Sequence, residues 1–160
     1  LNDSDTKATF FCLGWVARKY PDLIKLISSS GHEIGSHSNS HQLIYRHDRS
    51  FFRNDLEISI KSLEDITGKK VTSYRAPGFS LVEKTMWAFT ELVAQGIEYD
   101  CSIFIGNHAH GGRIKSFGLT PSVINIEDKK IKEFPVNSYK ALKDKSAFFS
   151  QLELFSKFTT

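Results

Sequence analysis

Strand-like and helix-like segments alternate three times along the first two-thirds of the chain, and this alternation constrains the fold more than any other feature. Helical patterns separate four short segments that have the composition of strands, at 7–14, 32–37, 71–78 and 97–104. The repeat length of roughly thirty residues is typical of parallel βαβ units. We therefore predict an α/β fold built on a parallel sheet.

The helical segments begin and end at residues that favour helix boundaries. Pro21 suits the first position of a helix, and Asp48 can cap the N-terminus of the next one. Gly31, Gly68 and Gly96 each follow a helical pattern and are expected to end it. The predicted helices therefore lie between the predicted strands, as a parallel sheet requires.

The pattern changes in the last third of the chain. A loop rich in glycine and histidine follows the fourth strand, and 122–136 has the pattern of two alternating strands around an EDKK turn. The segment 146–158 has the apolar spacing of an amphipathic helix. Because no repeat, low-complexity tract or linker divides the sequence, we expect one domain over 1–160.

Composition excludes several classes of function. The hydrophobic fraction of 40% includes 13 phenylalanines and suffices for a packed core. The net charge is only +3 and the basic residues are scattered, so we expect no nucleic-acid partner. Cys12 and Cys101 lie in apolar segments without a disulfide framework, which favours the cytoplasm and leaves the periplasm or cell envelope open. No apolar run reaches the ~18 residues of a membrane span.

Polar residues that can bind metals or catalyse reactions follow three of the predicted strands. His37 and His41 come after the second strand, Arg75 comes after the third, and Asp100 comes after the fourth. In parallel α/β folds, functional residues collect at the carboxyl ends of the strands. We therefore expect these three loops to lie side by side and to form one functional site.

The two histidines are candidates for a zinc site. If the chain is helical from His37, positions i and i+4 place both imidazoles on one side, where they could bind one Zn²⁺. The same spacing occurs in loops and helix caps that bind no metal, so spacing alone leaves both interpretations open. Arg75 and Asp100 could likewise form a structural salt bridge, or Arg75 could hold a catalytic carboxylate ionised. His108 and His110 could face a substrate or a metal, or could lie in a surface loop.

Several motifs in order resemble the polysaccharide deacetylases, the NodB-homology group of metal-dependent carbohydrate esterases in family 4. The likeness begins in KATFFCLGW, continues through GHEIGSHSNSH, YRAPGFS and YDCSIF, and ends at EFPV. It is closest to the subgroup found with exopolysaccharide export loci. The resemblance implies an irregular (β/α) barrel with a metal at the carboxyl ends of its strands.

The resemblance also implies a metal site and a reaction. His37 and His41 match the two metal-binding histidines of the family, and zinc is the expected metal. Arg75 and Pro77 match the R-x-P motif, whose arginine orients the catalytic base. The implied reaction is hydrolysis of N-acetyl groups on an amino-sugar polymer or oligosaccharide.

Further residues match the family's substrate site. Asp100 and Ser102 match a D-x-S segment that supports the arginine and shapes the acetyl pocket. Gly78 follows the R-x-P proline, at the position whose N–H stabilises the oxyanion. The family often has an aromatic residue there, and Phe79 is expected to replace that pocket wall. His108 is a further candidate for substrate binding.

Two motifs of the family have no match. One is an Asp-Asp pair on the first barrel strand, which supplies the third metal ligand and the general base, and the other contains a histidine that protonates the leaving amine. The remaining candidates are aspartates in a turn or a predicted helix, namely Asp3, Asp5, Asp48, Asp55 and Asp65. We therefore expect an incomplete barrel that lacks its first strand, from an internal fragment or truncated gene product with little activity of its own.

Two alternative functions stay open. Relatives on the same scaffold open cyclic imides or ureides, and a degenerate domain could bind carbohydrate without catalysis. The intact HSNSH and RAP segments favour sugar deacetylation over another amide hydrolysis. The missing motifs favour a non-catalytic module, whereas the two histidines count against it. The sequence does not indicate an oligomeric state.

Overall fold

Strands and helices alternate from the first strand to the fourth, as the sequence predicts. The computed structural model describes residues 1, 4–105, 114, 116–140 and 146–148. Their strands are β1 (Thr9–Cys12), β2 (Glu33–Ser36), β3 (Ser73–Tyr74), β4 (Tyr99–Asp100), β5 (Phe104–Ile105), β6 (Ser122–Ile126), β7 (Lys129–Glu133), β8 (Val136–Lys140) and β9 (Ser146–Phe148). Their α-helices are α1 (Gly14–Lys19), α2 (Pro21–Ser29), α3 (Arg49–Thr67) and α4 (Ala88–Ala94).

A mainly parallel sheet forms the centre of the molecule. Its strand order is β1-β2-β3-β4-β7-β6, in which the first five strands are parallel neighbours. β6 and β7 form an antiparallel hairpin, which confirms the two strands predicted around the EDKK turn. β5, β8 and β9 form a second, three-stranded sheet. The predicted α/β fold is therefore confirmed, with β1 and β6 as the edge strands of the described main sheet.

The helix boundaries follow the predicted signals closely. α2 begins at Pro21, and the Asp48 side chain caps α3 by accepting a hydrogen bond of 2.8 Å from Phe51 N–H. α3 ends at Gly68, whose φ of 67° lies in the left-handed region that glycine adopts without steric cost. The short helix α1 was not predicted. None of the helices in the described ranges is long and apolar enough to cross a membrane.

Three predicted elements differ from the structure because local or sheet hydrogen bonds replace the expected pattern. The helical pattern that ends before Gly96, at 82–95, forms a 3-10 turn at Glu83–Thr85 followed by α4, since Thr85 Oγ1 and Val82 bond to each other. The fourth strand divides into β4 and β5, because the N–H groups of Ser102 and Ile103 bond to carboxylates instead of to a neighbouring strand. The start of the helix predicted at 146–158 is strand β9, paired with β8, and the rest lies outside the described residues.

One apolar cluster joins the helices to the sheet and fixes the strand ends. The predicted apolar face of α3 is buried at Phe52, Leu56, Ile60 and Leu63. Further side chains that are no more than 1% exposed come from both the helices and the main sheet with its loops, namely Ile24, Tyr74, Phe89, Leu92, Ile103 and Ile131. Burial of such a side chain stabilises a fold by about 1.5–3 kcal/mol. The core therefore holds β1 to β4 in register, with their carboxyl ends along one edge.

Candidate active site

The three predicted loops lie side by side at the carboxyl ends of neighbouring strands. The first residue after β2, His37, donates its backbone N–H to Cys12 O at 2.9 Å. Arg75 follows β3 and donates to Ser36 O at 3.0 Å, and Cys101 follows β4 and donates to Tyr74 O at 3.0 Å. The strand pairing thus continues into the first residue of each loop. The predicted placement of these loops at one edge is confirmed.

The histidine loop brings His37 and His41 together without forming a helix. Ser38 and His41 have φ values of 71° and 59°, so the chain reverses through two left-handed residues. The imidazole centroids are 5.1 Å apart, with an angle of 69° between the rings. The expectation that a helix from His37 would bring the two imidazoles together is therefore wrong, although the two rings do lie close to each other. His37 is half-buried, and His41 is exposed.

Helix α1 and a glycine support this loop from one side. Gly14 N–H donates to Ser38 O at 3.0 Å, and Trp15 N–H donates to Asn39 O at 3.2 Å. A Cβ atom at Gly14 would lie 2.8 Å from Ser59 Cα and 2.9 Å from Asn39 Oδ1. Only glycine lets the start of α1 come this close to both the loop and α3.

Asp55 on α3 supports the same loop from below, and sequence reasoning missed this role. Its carboxylate accepts hydrogen bonds from Asn39 N–H at 2.8 Å and from Ser40 Oγ at 2.5 Å. Ser59, one helical turn later, donates to Ser38 O at 3.0 Å. Both side chains are buried. The available signal was their position beside the apolar face of a predicted helix, where a polar side chain needs a specific partner.

Replacing Asp55 with alanine is expected to loosen the histidine loop. The change leaves Asn39 N–H and Ser40 Oγ without their acceptor, which typically costs about 1–3 kcal/mol. We expect a lower melting temperature and zinc affinity about tenfold weaker, measured by thermal unfolding and calorimetric titration. Asp65→Ala is the matched control, because Asp65 lies on the same helix in an exposed pair with Lys61. Equal effects of the two changes would contradict the role of Asp55.

The hydrogen bond of His37 defines which ring nitrogen is available. His37 Nδ1 lies 2.7 Å from Arg75 O. A carbonyl oxygen can only accept, so Nδ1 carries the hydrogen and Nε2 of the neutral ring carries a free lone pair. Burial lowers the pKa of His37 below its ordinary value, and the nearby His41 and Arg75 lower it further, although the hydrogen bond opposes them. His37 is thus held neutral in the form that binds metals.

Arg75 is held by an aromatic ring and a backbone carbonyl. Its guanidinium carbon lies 4.4 Å from the centroid of Phe11, a distance typical of a cation–π contact. Its Nε donates to Cys101 O at 3.3 Å. Within the described ranges it forms no ion pair with Asp100, so the salt bridge considered from the sequence is not formed. The Arg75 charge nevertheless favours the ionised form of Asp100.

Asp100 and Ser102 support the turn that follows Arg75. Asp100 is fully buried and accepts from Ser102 Oγ at 2.6 Å and from Ser102 N–H at 3.0 Å. The Ser102 hydroxyl in turn accepts a hydrogen bond of 2.8 Å from Ala76 N–H. Ala76 directly precedes Pro77 and Gly78. The D-x-S segment therefore contacts the backbone of the R-x-P segment, and does so through the serine.

The Pro77–Phe79 turn has a strained backbone at its tip. Gly78 and Phe79 have φ values of 57° and 50°, and Phe79 is a bulky residue in the left-handed region. The ring of Phe79 lies 5.3 Å from that of Phe104, between centroids. The hydrogen bonds within the turn are donated by the Phe79 and Ser80 N–H groups. The turn thus presents its glycine and one aromatic ring next to the strand ends.

The other histidines do not join this site in the described residues. His108 and His110 lie outside those residues. His32 is buried, with its ring 5.2 Å from that of Phe10, and His47 stacks on Phe51 at 4.0 Å. No group of three histidine, cysteine, aspartate or glutamate side chains able to hold a metal occurs in the part of the chain that the structure describes. Of these residue types, the imidazoles of His37 and His41 are the two that the histidine loop brings together.

Several proteins with similar sequences are named as peptidoglycan deacetylases. The chain is 33% identical over 89 residues to a peptidoglycan-N-acetylglucosamine deacetylase of Bacillus cereus, covering 55% of this chain and 32% of that protein. It is 30% identical over 101 residues to a peptidoglycan deacetylase of Helicobacter pylori, covering 60% and 32%. The chain thus spans about a third of the length of these curated relatives.

The fold and a family model agree with these similarities. A solved structure from Mycobacterium smegmatis, assigned as a polysaccharide deacetylase, superposes with a TM-score of 0.71 at 26% identity, covering 85% of this chain and 42% of that one. The family model for polysaccharide deacetylases matches residues 1–97, which is more than half of the chain. The chain therefore belongs to the polysaccharide deacetylase family.

Proposed function

We propose that this chain supplies part of the active site of a metal-dependent deacetylase, which hydrolyses N-acetyl groups on an amino-sugar polymer. One observation carries the proposal. His37 and His41 stand together at the strand ends, and the Nδ1–H of His37 is held by Arg75 O, two residues before the Pro77–Phe79 turn. Family membership supports the reaction class, and the names of the curated relatives support an acetylated amino sugar as the substrate.

The two histidines fit a divalent metal such as zinc in their chemistry. Zinc is commonly bound by neutral imidazole nitrogens, and a hydrogen bond from the second ring nitrogen to a carbonyl is the usual support for such a ligand. His37 has that support from Arg75 O. A bound divalent metal supplies Lewis-acid activation of an acyl carbonyl and of water. His37 and His41 are the residues that would hold it.

The neighbouring residues then position the acetyl group and its developing charge. The N–H of Gly78 is the proposed donor to the oxyanion, because Gly78 lies in the turn that follows Arg75, whose carbonyl bonds to His37. Phe79 provides an apolar surface for the acetyl methyl group, and Pro77 fixes the backbone of the turn. Ser102 holds this segment through Ala76 N–H, and Arg75 is available to orient a catalytic carboxylate.

The described residues do not provide the complete catalytic set. A third metal ligand and a carboxylate base adjacent to His37 and His41 are both absent from them. We propose that these groups come from outside the described residues and that this chain by itself is an impaired enzyme. A further strand that paired with the edge strand β1 could bring a carboxylate to the histidines. The carboxyl end of β1 leads into α1, and the first residues of α1 bond to the histidine loop.

The assay that tests this proposal is acetate release from N-acetylglucosamine oligomers, with and without added zinc. General acid–base catalysis contributes about 10²–10⁴-fold to such reactions, so we expect release by this chain to be slower by that factor than release by the Bacillus cereus relative. A rate equal to the relative's would refute the impaired site. Saccharide binding without any turnover would support a non-catalytic module, and opening of a cyclic imide or ureide would overturn the substrate class.

The polymer is a second part of the proposal. The order of the GW, RAP, D-x-SIF and EFP segments favours an exopolysaccharide or its precursor, whereas the curated relatives are named for peptidoglycan. We propose exopolysaccharide as the natural substrate and the cytoplasm as the compartment. Faster acetate release from isolated peptidoglycan than from a poly-N-acetylglucosamine exopolysaccharide would contradict the proposed substrate. Fractionation of the producing cells tests the proposed compartment.

A further inference from the structure

Two carboxyl groups meet inside the molecule behind the candidate site. Asp100 at the end of β4 is the register partner of Glu133 at the end of β7, and Phe134 N–H donates to Asp100 O at 2.8 Å. Both residues have no exposed surface. As register partners on neighbouring parallel strands, the two residues carry their side chains on the same face of the sheet, and the two buried carboxyl groups influence each other directly. Glu133 belongs to the EFPV segment, for which neither the sequence nor the proposed function supplies a role.

The hydrogen bonds of this pair require a proton. Ser102 N–H and Oγ donate to the two oxygens of Asp100, and Ile103 N–H donates to one oxygen of Glu133 at 3.2 Å. The other oxygen, Glu133 Oε2, has no N–H or O–H donor within the described residues. Ionised carboxylates only accept, so a bond between two of them needs one to be protonated. A proton on Oε2 satisfies this atom and creates the bond.

The charges around the pair do not replace this proton. No lysine or arginine forms an ion pair with either carboxyl group in the described part of the chain. The groups that act electrostatically on the pair are Arg75 from the loop after β3, and Tyr74 and Cys101 beside Asp100. Arg75 favours a charge on Asp100. Two buried carboxylates with a single nearby cation cannot both be ionised without a large cost.

We propose that Glu133 is a carboxylic acid that donates its hydrogen to Asp100 and thereby positions the Arg75–Gly78 segment. Asp100 is then a carboxylate with three donors, which fixes Ser102, and Ser102 fixes Ala76 N–H. The same segment provides the carbonyl that orients His37. Burial raises the pKa of Glu133 well above its ordinary value, and the neighbouring Asp100 raises it further. The positioning role rests on the proposed function, whereas the protonation state does not.

Replacing Glu133 with glutamine tests the protonation state through stability. Glutamine keeps one donor and one acceptor but carries no titrating proton. A native acid with a raised pKa stabilises the fold fully at low pH, and this contribution is lost as the pH rises above the unfolded value of about 4.3. The unfolding constant of the native protein should therefore rise by up to about tenfold per pH unit relative to Glu133→Gln between pH 5 and 7.

The control for this titration is Glu98→Gln, which changes an exposed glutamate just before β4. This change removes a carboxylate from the surface and leaves the buried pair intact, so its ratio of unfolding constants is the reference for that of Glu133→Gln. A flat ratio for Glu133→Gln would show that Glu133 is ionised in the native protein and would overturn the proposal. The measurement is urea unfolding of the protein at several pH values, so it needs no enzymatic activity.

The positioning role is tested by the nuclear magnetic resonance signal of the His37 Nδ1–H. Glu133→Ala removes the donor to Asp100, so this signal should shift or exchange faster, whereas Glu133→Gln should preserve it. An unchanged His37 signal in a folded Glu133→Ala protein would refute the coupling. If the native protein has no deacetylase activity, the proposed function fails, but the pH-dependent stability and the His37 signal still decide the state of Glu133.

Discussion

Replacing His37 with alanine is expected to remove zinc binding at the strand ends and any acetate release that depends on it. His37 is the better-held of the two imidazoles, because its Nδ1–H is fixed by Arg75 O at 2.7 Å and its Nε2 is free. His41 alone cannot hold zinc by side-chain ligation at useful affinity. We expect the zinc affinity, measured by calorimetric titration, to fall by more than about a hundredfold, beyond the usual effect of losing a supporting residue.

His47→Ala is the matched control for this change. His47 stacks on Phe51, and it does not join His37 and His41 in any metal-binding group among the described residues. Its replacement should leave the zinc affinity within about twofold of the original. Equal losses for His37→Ala and His47→Ala would show that zinc binds elsewhere. A folded His37→Ala protein that retains full affinity would refute the assigned pair.

The pH dependence of metal binding follows from the lowered pKa of His37. Burial, together with His41 and Arg75, disfavours the imidazolium form, so the ring stays neutral to lower pH than an ordinary histidine. Protons therefore compete less with the metal. We expect zinc to remain bound through His37 at pH 6, where an imidazole with the usual pKa of about 6.5 is mostly protonated. If zinc dissociated from His37 already above pH 6.5 as the pH was lowered, this description of the His37 environment would be contradicted.

The order of strands and helices could be predicted because each signal is local. Pro21, Asp48 and Gly68 act within one turn of their own helix, and the structure places the helix ends where these residues predict them. The division of the fourth strand could not be predicted in this way. It depends on Ile103 N–H bonding to Glu133, which is distant in sequence and becomes a neighbour only through β4–β7 pairing.

The candidate site shows the same distinction between local and long-range signals. The position of His37, Arg75 and Asp100 at three strand ends followed from the general architecture of parallel sheets. The route that joins His37 to His41 did not, because it depends on two left-handed residues that sequence spacing does not reveal. Asp55 was likewise set aside as a helical residue, although its carboxylate holds the loop from α3.

Replacing Asp100 with asparagine is expected to be the most damaging isosteric change to the polar part of this molecule. The carboxylate is fully buried and receives donors on both oxygens, from the N–H and the hydroxyl of Ser102. An amide offers one acceptor oxygen, so at least one donor then faces an N–H group. Leaving such a buried donor unpaired costs about 1–3 kcal/mol, and more when the lost partner is charged.

The expected result for Asp100→Asn is a loss of about 3 kcal/mol in the free energy of unfolding, measured in urea. Asp128→Asn is the matched control, because Asp128 is exposed in the turn between β6 and β7, and its change should stay within about 0.5 kcal/mol. Both changes replace a carboxylate with an amide, so the difference between their losses of unfolding free energy measures the contribution of the buried hydrogen bonds of Asp100. A stable Asp100→Asn protein would mean that Asp100 is protonated in the native state, and the acid of the pair would then be Asp100 and not Glu133.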